Sequence, residues 1–188
     1  MQPLPTAAAP WLTSALGEFV HQKDLAERAL AQVDEQKLHQ PLDEHTNSLA
    51  VIVQHIAGNL ASRWTDPLTT DGEKPNRRRD DEFVDQSWER SELTRRWNGA
   101  FELVVATLSS LSIDDLDRSV VIRGEKLTLE HAVLRSLAHT SFHIGQIVLL
   151  ARVLTGEEWN VLTIPRGPGE SEIHNRTHWG EATPEADG

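Results

Sequence analysis

A chain of 188 residues with 38% hydrophobic and 25% charged residues is long and apolar enough to form one folded domain with its own core. Its formal net charge of -11 argues against a nucleic-acid or anionic-membrane partner, because both are bound through clustered Lys and Arg. The absence of cysteine excludes disulfides, thiolate metal ligands and a cysteine nucleophile from the chain itself, and it fits a reducing compartment.

The sequence carries no signal for export or membrane insertion. The first ten residues lack the basic and apolar regions of a signal peptide. The longest apolar stretch, 144–154, is interrupted by Gly145, Gln146 and Arg152 and is too short to cross a bilayer. We therefore expect a cytoplasmic protein.

Four segments repeat apolar residues at steps of three and four, which is the period of a helix with one buried face. Pro10 precedes the first segment, and Pro41 and Pro67 follow the first and second. Asn47 or Ser48 is a suitable N-cap for the second helix. The predicted helices cover about residues 11–38, 48–64, 87–111 and 128–154.

The connections between these segments suggest how they are arranged. The stretch 68–86 is long for a compact domain and is therefore expected to be functional or a crossover. Residues 119–125 can form a short extended piece before the fourth helix, and Gly156 can end that helix. The pattern predicts an all-α protein, a four-helix bundle with a long crossover between its second and third helices.

The bundle is expected to span residues 11–175. A flexible N-terminal tail of residues 1–10 would precede it, and a loose acidic C-terminal tail of residues 176–188 would follow it.

The strongest local signal for function is the pair His139 and His143. Four residues apart on a helix, both imidazoles lie on one face and can bind one metal ion. Apolar residues flank the pair on that face, which predicts that the two rings lie inside the bundle, where their polar atoms need partners. Spacing alone does not distinguish a metal site from two core histidines satisfied by backbone or water.

A third ligand must come from another helix, and His55 is the best-placed candidate. It lies in the middle of the second helix, with Asn59 and Arg63 following at four-residue steps. His55 flanks the apolar stripe of that helix, so a surface histidine remains the alternative. Three neutral histidines would leave one coordination position open for water or substrate. Since no glutamate lies within the motif, the general base and any catalytic residue stay unassigned.

Two weaker signals are interpreted without a function. His174 and His178 repeat the four-residue spacing, but the Pro-Gly sequence before them argues against a helix, and we expect surface residues. The run 77–79 of three arginines could recognise an anionic substrate. The simpler interpretation is that it pairs with the acidic run 80–82 on a solvated loop.

Several ordered blocks of the sequence resemble the DinB-like superfamily of metal-binding four-helix bundles, and more closely an uncharacterised bacterial subfamily of it. The resemblance extends from the first helix to about Asn175 and rests on the blocks Asn47–His55, Gly58-Asn59, Ser62–Trp64, Asp71–Pro75, Arg79-Asp80, Ile122–Glu125, His139, His143–Ile147 and Ile164–Gly167.

The resemblance implies a metal bound by one histidine on the second helix and two on the fourth, places that His55, His139 and His143 occupy. It also implies a long crossover and, commonly, a homodimer. Relatives include transferases and isomerases that use low-molecular-weight thiols, so such a thiol is an expected co-substrate, and they also include some hydrolases. The sequence departs from the pattern at Asn76, where an aromatic is common, and at Phe142, where tyrosine is common.

The leading hypothesis is a metal-dependent enzyme, such as a thiol-dependent S-transferase, that binds zinc or nickel. Asn59, Arg63 and Gln146 are expected to support the ligands or contact a small-molecule substrate. The alternatives are a metal-dependent hydrolase and a non-catalytic protein whose metal ion is structural.

Overall fold

The computed structural model describes residues 10–179, with side chains as far as His174. Four long helices form the predicted bundle, in which α2 packs mainly on α3 and α1 mainly on α4. Within the described residues, the helices and strands are α1 (Pro10–Leu30), α2 (Leu49–Trp64), α3 (Arg90–Ser109), β1 (Ser119–Ile122), β2 (Glu125–Thr128), α4 (Leu129–Thr155) and α5 (Glu170–Trp179).

The core is filled by apolar side chains from α1 to α4. Phe19 meets Trp64 edge to face with ring centroids 6.4 Å apart, and Trp97 packs on Phe101 at 4.6 Å. Burial of each such side chain contributes roughly 1.5–3 kcal/mol. In α2, 12 of the 16 residues are buried, because α3, α4 and the crossover cover this helix on several sides. A residue beside its apolar stripe is therefore also buried.

The predicted signals at the helix ends are confirmed where side chains cap them. Ser48 is the N-cap of α2, since its hydroxyl accepts a hydrogen bond from the Val51 N–H. Thr128 caps α4 through the His131 N–H in the same way. Gly156 ends α4 with a φ of 68°, a conformation that glycine adopts without steric cost.

The first predicted helix is eight residues too long. α1 ends at Leu30, where the Arg90 guanidinium donates to the carbonyls of Leu30 and Val33. Val33 and Leu38 continue the apolar period and are buried, but Val33 lies before the 3-10 segment Glu35–Lys37 and Leu38 directly after it. The apolar pattern therefore continues past the end of the helix, because residues of the following turns are buried as well.

The third helix begins at Arg90, three residues later than predicted. Ser87 has a φ of 53°, and its N–H donates to the Asp85 carboxylate at 2.8 Å. This turn directs the chain into α3, so Ser87 lies before the helix and does not start it.

The extended piece before α4 is one strand of an antiparallel hairpin. β1 pairs with β2 in a register that joins Ser119 to Thr128 and Ile122 to Glu125. Arg123 and Gly124 form the turn with φ values of 56° and 76°, as a two-residue type I′ turn requires. The crossover, 65–89, is attached to this turn.

The region after α4 differs from the sequence-based expectation. α5 covers His174 and His178, for which no helix was predicted, and the His174 side chain is half-buried. α5 also extends past residue 175 into the segment expected to be a loose tail. Residues 1–9 and 180–188 of the two predicted tails, and the His178 side chain, lie outside the described part.

By length and composition alone, one segment of the described chain, residues 129–158, is long and apolar enough to cross a membrane. This segment is α4 with the turn that follows it. The sequence-based exclusion of a membrane span considered only residues 144–154, which are one part of this segment. A core helix of a soluble bundle passes the same criterion. In this fold α4 packs against α1 and α2.

Candidate metal centre

The imidazoles of His55, His139 and His143 converge on one point between α2 and α4. One ring nitrogen of each lies within 4.8 Å of the other two. The Nε2 atoms of His55 and His139 are 3.3 Å apart, and the ring centroids of His139 and His143 are 4.6 Å apart. His55 is buried, whereas the other two rings are half-buried. The predicted trio is thus brought together from positions 84 residues apart.

Hydrogen bonds determine which nitrogen of two of these rings is available. Nδ1 of His55 donates to Oε2 of Glu82 at 2.9 Å, and Nδ1 of His143 donates to Oε1 of Gln146 at 2.7 Å. In a neutral imidazole the proton on Nδ1 leaves a lone pair on Nε2. Both rings therefore offer Nε2 as a ligand atom.

This arrangement fits a divalent metal. With a proton on its Nδ1, His55 directs the Nε2 lone pair at the Nε2 of His139. With the proton of His139 also on Nδ1, a cation between the two rings would satisfy the lone pairs of both Nε2 atoms. Nitrogens bound to a tetrahedral zinc ion at about 2.0–2.1 Å lie about 3.3 Å from one another, which is the separation found here. The ligand set is all imidazole, which suits zinc and nickel equally.

The electrostatic environment keeps the half-buried rings neutral. The pKa of His139 is lowered to about 4, first by burial and then by the neighbouring imidazoles of His143 and His55. Burial also lowers the pKa of His143, although its hydrogen bond to Gln146 opposes the shift. Neutral imidazole is the form that binds metals.

Glu82 is the neighbour of the histidine cluster that sequence reasoning missed. It is 8% exposed, and Arg77 donates to both of its carboxylate oxygens at 2.7 Å. Burial acts to raise the pKa of Glu82, but the hydrogen bonds from His55 and Arg77 outweigh it and the pKa is lowered. Glu82 is therefore a buried carboxylate anion beside a candidate ligand.

The arginine run is not one solvated unit: the predicted pairing with the acidic run is confirmed for Arg77, which pairs with Glu82, but its predicted solvated position is wrong. The Arg77 side chain is 4% exposed, whereas Arg78 is 82% exposed and pairs with Asp81 as expected. Neighbouring positions in this irregular segment point into and out of the protein without a period. Because no periodicity marks them, the sequence offered no signal that separates Arg77 from Arg78.

The supporting residues proposed from the sequence lie in different places. Gln146 contacts His143 directly. The guanidinium of Arg63 instead binds the Gly72 carbonyl and the Glu73 carboxylate. Asn59 is half-buried, one turn beyond His55.

Two aromatic rings border the cluster. Phe83 packs on His55 with centroids 4.5 Å apart, and Phe142 lies edge-on to His143 at 5.3 Å. Phe142 is 66% exposed, so it stands at the solvent side of the imidazoles. The departure from tyrosine at this position therefore removes a hydroxyl from the rim of the cluster.

A separate cavity of about 750 Å³ lies between α2, α3 and the crossover. Glu82 and Arg77 line it, as does Asn76, while the three histidines do not. Glu82 thus contacts the cluster through His55 and also faces this cavity. The departure from an aromatic residue at Asn76 therefore concerns the lining of the cavity and not the imidazoles.

The fold is that of the DinB-like four-helix bundles. Two solved structures from Bacillus subtilis share the fold. YfiT, described as a probable metal-dependent hydrolase with an unusual four-helix bundle topology, has 17% identity and a TM-score of 0.65, over 85% of this chain and 95% of its own. The DinB-like protein YjoA has 16% identity and a TM-score of 0.60, over 79% of this chain and 96% of its own.

The sequence assigns the chain to a family. The family described as "Protein of unknown function (DUF1572)" matches residues 6–168, and the chain belongs to it. Among curated proteins, no sequence matches significantly. The four-helix-bundle fold that the resemblance implied is confirmed, and at 16% and 17% identity the two solved structures establish that fold alone.

Proposed function

We propose that the protein is a metal-dependent enzyme that holds one divalent ion, zinc or nickel, with His55, His139 and His143. The convergence of three imidazoles within 4.8 Å carries this proposal. Two of the rings already have their second nitrogen bonded to an acceptor, which favours ligand atoms pointing at one centre. All three lie on core helices, so the ligands are held by a rigid scaffold.

The number of ligands supports catalysis over a structural ion. Within the described part of the chain, the cluster has three members and no carboxylate. Structural zinc sites have four protein ligands, whereas catalytic sites leave a position open. A metal held in this way supplies Lewis acidity to water or substrate. Glu82 is engaged by His55 and Arg77, so it is not free to act as a general base.

Hydrolysis of a small-molecule substrate is the reaction proposed first. YfiT, which has the same fold, is described as a probable metal-dependent hydrolase. Thiol-dependent S-transfer, implied by the sequence resemblance, is the second candidate. Since the chain has no cysteine, the thiol would arrive as a low-molecular-weight co-substrate.

Metal titration is the first test. Wild-type protein stripped with a chelator is expected to bind one zinc or nickel ion per chain, and His139→Ala is expected to bind at least about 100-fold more weakly, a larger loss than for residues that only support ligands. His131→Ala, at an exposed position on the same helix, is the control and should bind as the wild type does. Failure of the wild type to bind either metal overturns the proposal.

Turnover distinguishes an enzyme from a protein with a structural ion. The metal-loaded protein is assayed with ester, amide and phosphoester substrates, and with small thiols plus an electrophile. Activity that His139→Ala abolishes at unchanged melting temperature supports the enzyme. A large fall in melting temperature without any turnover supports the structural ion instead.

We also propose a cytoplasmic homodimer, without nucleic-acid or membrane partners. Leu134, Phe142, Leu149 and Val153 are 49–66% exposed and follow one face of α4, and contiguous exposed apolar side chains mark interfaces. Leu149→Glu is expected to convert the dimer to a monomer in sedimentation analysis. Ile113→Glu, at an exposed apolar position elsewhere, is the control. A monomeric wild type at micromolar concentration contradicts this arrangement.

A further inference from the structure

Glu82 reaches the centre of the protein from the crossover and not from a helix of the bundle. It lies in the 3-10 segment Arg79–Phe83, which packs against α2. Its Oε2 accepts the proton on Nδ1 of His55 at 2.9 Å, and the His55 and Glu82 side chains are 5% and 10% exposed. This carboxylate is the partner of the His55 Nδ1 proton within the described part of the chain.

Arg77 prevents Glu82 from turning away. Its Nε donates to Oε1 and its Nη2 to Oε2, each at 2.7 Å, so the guanidinium and the carboxylate form a two-point fork. A fork of this kind restricts orientation more than a single hydrogen bond does. The carboxylate is thus held in one plane, with Oε2 shared between His55 and Arg77.

Arg77 is itself anchored to the rest of the fold. Its Nη1 donates to Glu73 at 3.2 Å, and Glu73 also receives hydrogen bonds from Arg63 of α2 and Arg123 of the hairpin turn. Alternating charges therefore connect the His55 ring to the crossover and the hairpin. Displacement of Glu82 would break its hydrogen bond from His55 and both hydrogen bonds from the anchored Arg77.

Gly58 provides the space that this arrangement needs. A Cβ atom at position 58 would lie 2.5 Å from Oε1 and 2.8 Å from Cδ of Glu82, closer than real Cβ contacts allow. The carboxylate therefore packs directly on the α2 backbone, one turn beyond His55. A side chain at this position would push Glu82 away from the imidazole.

We infer that Glu82 is the positioning residue of the metal centre, that Arg77 orients it, and that Gly58 admits it to the helix surface. The carboxylate holds the proton of His55 on Nδ1, which directs the Nε2 lone pair toward His139 and His143. A carboxylate in this place fixes the ring orientation of a ligating histidine. This inference rests on the proposed function, because the centre that Glu82 serves is the one proposed above.

The test compares two histidine–carboxylate pairs of the same protein. Glu82→Gln keeps the shape of the side chain but removes its charge, and it is expected to weaken metal binding about 10- to 100-fold. The control Asp85→Asn changes the carboxylate that contacts His39, which is outside the cluster, and should leave the affinity unchanged. Glu82→Asp, which keeps the charge but is shorter by one methylene, guards against misfolding and should bind with intermediate affinity.

A second readout needs no metal. Long-range ¹H–¹⁵N spectra of the metal-free wild type at pH 8 are expected to report His55 as the Nδ1–H tautomer, and those of Glu82→Gln a shift toward a tautomer mixture. Equal metal affinity of the Glu82 variants and wild type, with the same His55 tautomer, overturns the inference. If the wild type binds no metal, the proposed function fails, while the tautomer spectra still report on the Glu82 contact.

Discussion

His39 and His55 each contact a buried or half-buried carboxylate through Nδ1, but their Nε2 atoms lie in different environments. His39 contacts both oxygens of Asp85 at 2.8–2.9 Å, and its Nε2 faces the Trp88 carbonyl at 3.1 Å. His55 contacts Glu82, and its Nε2 faces the imidazole of His139. Both nitrogens of His39 are thus used within the fold, whereas His55 keeps one lone pair for a ligand.

The difference shows that a carboxylate on Nδ1 does not by itself make a histidine a metal ligand. What the second nitrogen meets decides the role. His39 joins the segment after α1 to the segment before α3, and its side chain is 29% exposed. His55 lies in the core beside two further imidazoles, at 5% exposure. The first pair joins two segments, and the second prepares a site.

The largest expected effect separates the arginine that orients Glu82 from its neighbour. Arg77→Met leaves the buried Glu82 carboxylate without its arginine, so we expect a loss of about 3–5 kcal/mol in the free energy of unfolding. Arg78→Met removes an exposed ion pair and should change stability by less than about 1 kcal/mol. Urea unfolding of both variants measures the difference, and equal values would contradict the buried network.

Replacing the two histidines compares the pairs directly. His55→Ala is expected to weaken zinc and nickel binding at least about 100-fold, beyond the loss for a residue that only supports a ligand. His39→Ala should leave the affinity unchanged and instead lower stability by about 1–3 kcal/mol, because the Asp85 carboxylate and the Trp88 carbonyl lose the imidazole between them. Metal titration and thermal unfolding of each variant check both halves. A metal defect in His39→Ala would remove the distinction.

Substitutions of two glycines test how much space the Glu82 carboxylate requires beside α2. Gly58→Ala forces a Cβ into the Glu82 carboxylate, so we expect a loss of about 1–3 kcal/mol and weaker metal binding. Gly99→Ala has no atom within 4 Å of the new Cβ and should stabilise α3 by about 0.5–1 kcal/mol. Stability changes of the same sign in both variants would show that Gly58 has no special role.

The smallest effect concerns the pH dependence of the charge network. Burial acts to raise the pKa of Glu73, but Arg123, Arg77 and Arg63 outweigh it and the pKa is lowered. Its contribution to stability is therefore complete above its unfolded pKa of about 4.5 and is lost as the pH falls through the lower folded value. Glu73→Gln should be less stable at pH 7 and should lose less stability on acidification. Unfolding midpoints between pH 7 and pH 3 measure this.

Short-range patterns account for what was correctly predicted. The four-residue spacing of His139 and His143 places both rings on one face of α4, because helix geometry alone determines it. Ser48, Thr128 and Gly156 mark helix ends through hydrogen bonds and backbone angles that lie within a few residues. The position of His55 in the core came from the family resemblance, since its helical wheel left the alternative of a surface position open.

The sequence by itself therefore determined the four helices of the bundle, apart from some of their ends, and the histidine pair, because these depend on periodicity and local hydrogen bonding. Only the tertiary structure decided that the Arg77 and Glu82 side chains are buried while Arg78 is exposed. It also decided that both ring nitrogens of His39 contact groups of the fold, whereas Nε2 of His55 is left for a ligand. Segment 77–83 has no period, and its burial depends on the surface of α2 that it packs against. Contacts between segments far apart in the chain follow from the whole fold, so no local pattern can encode them.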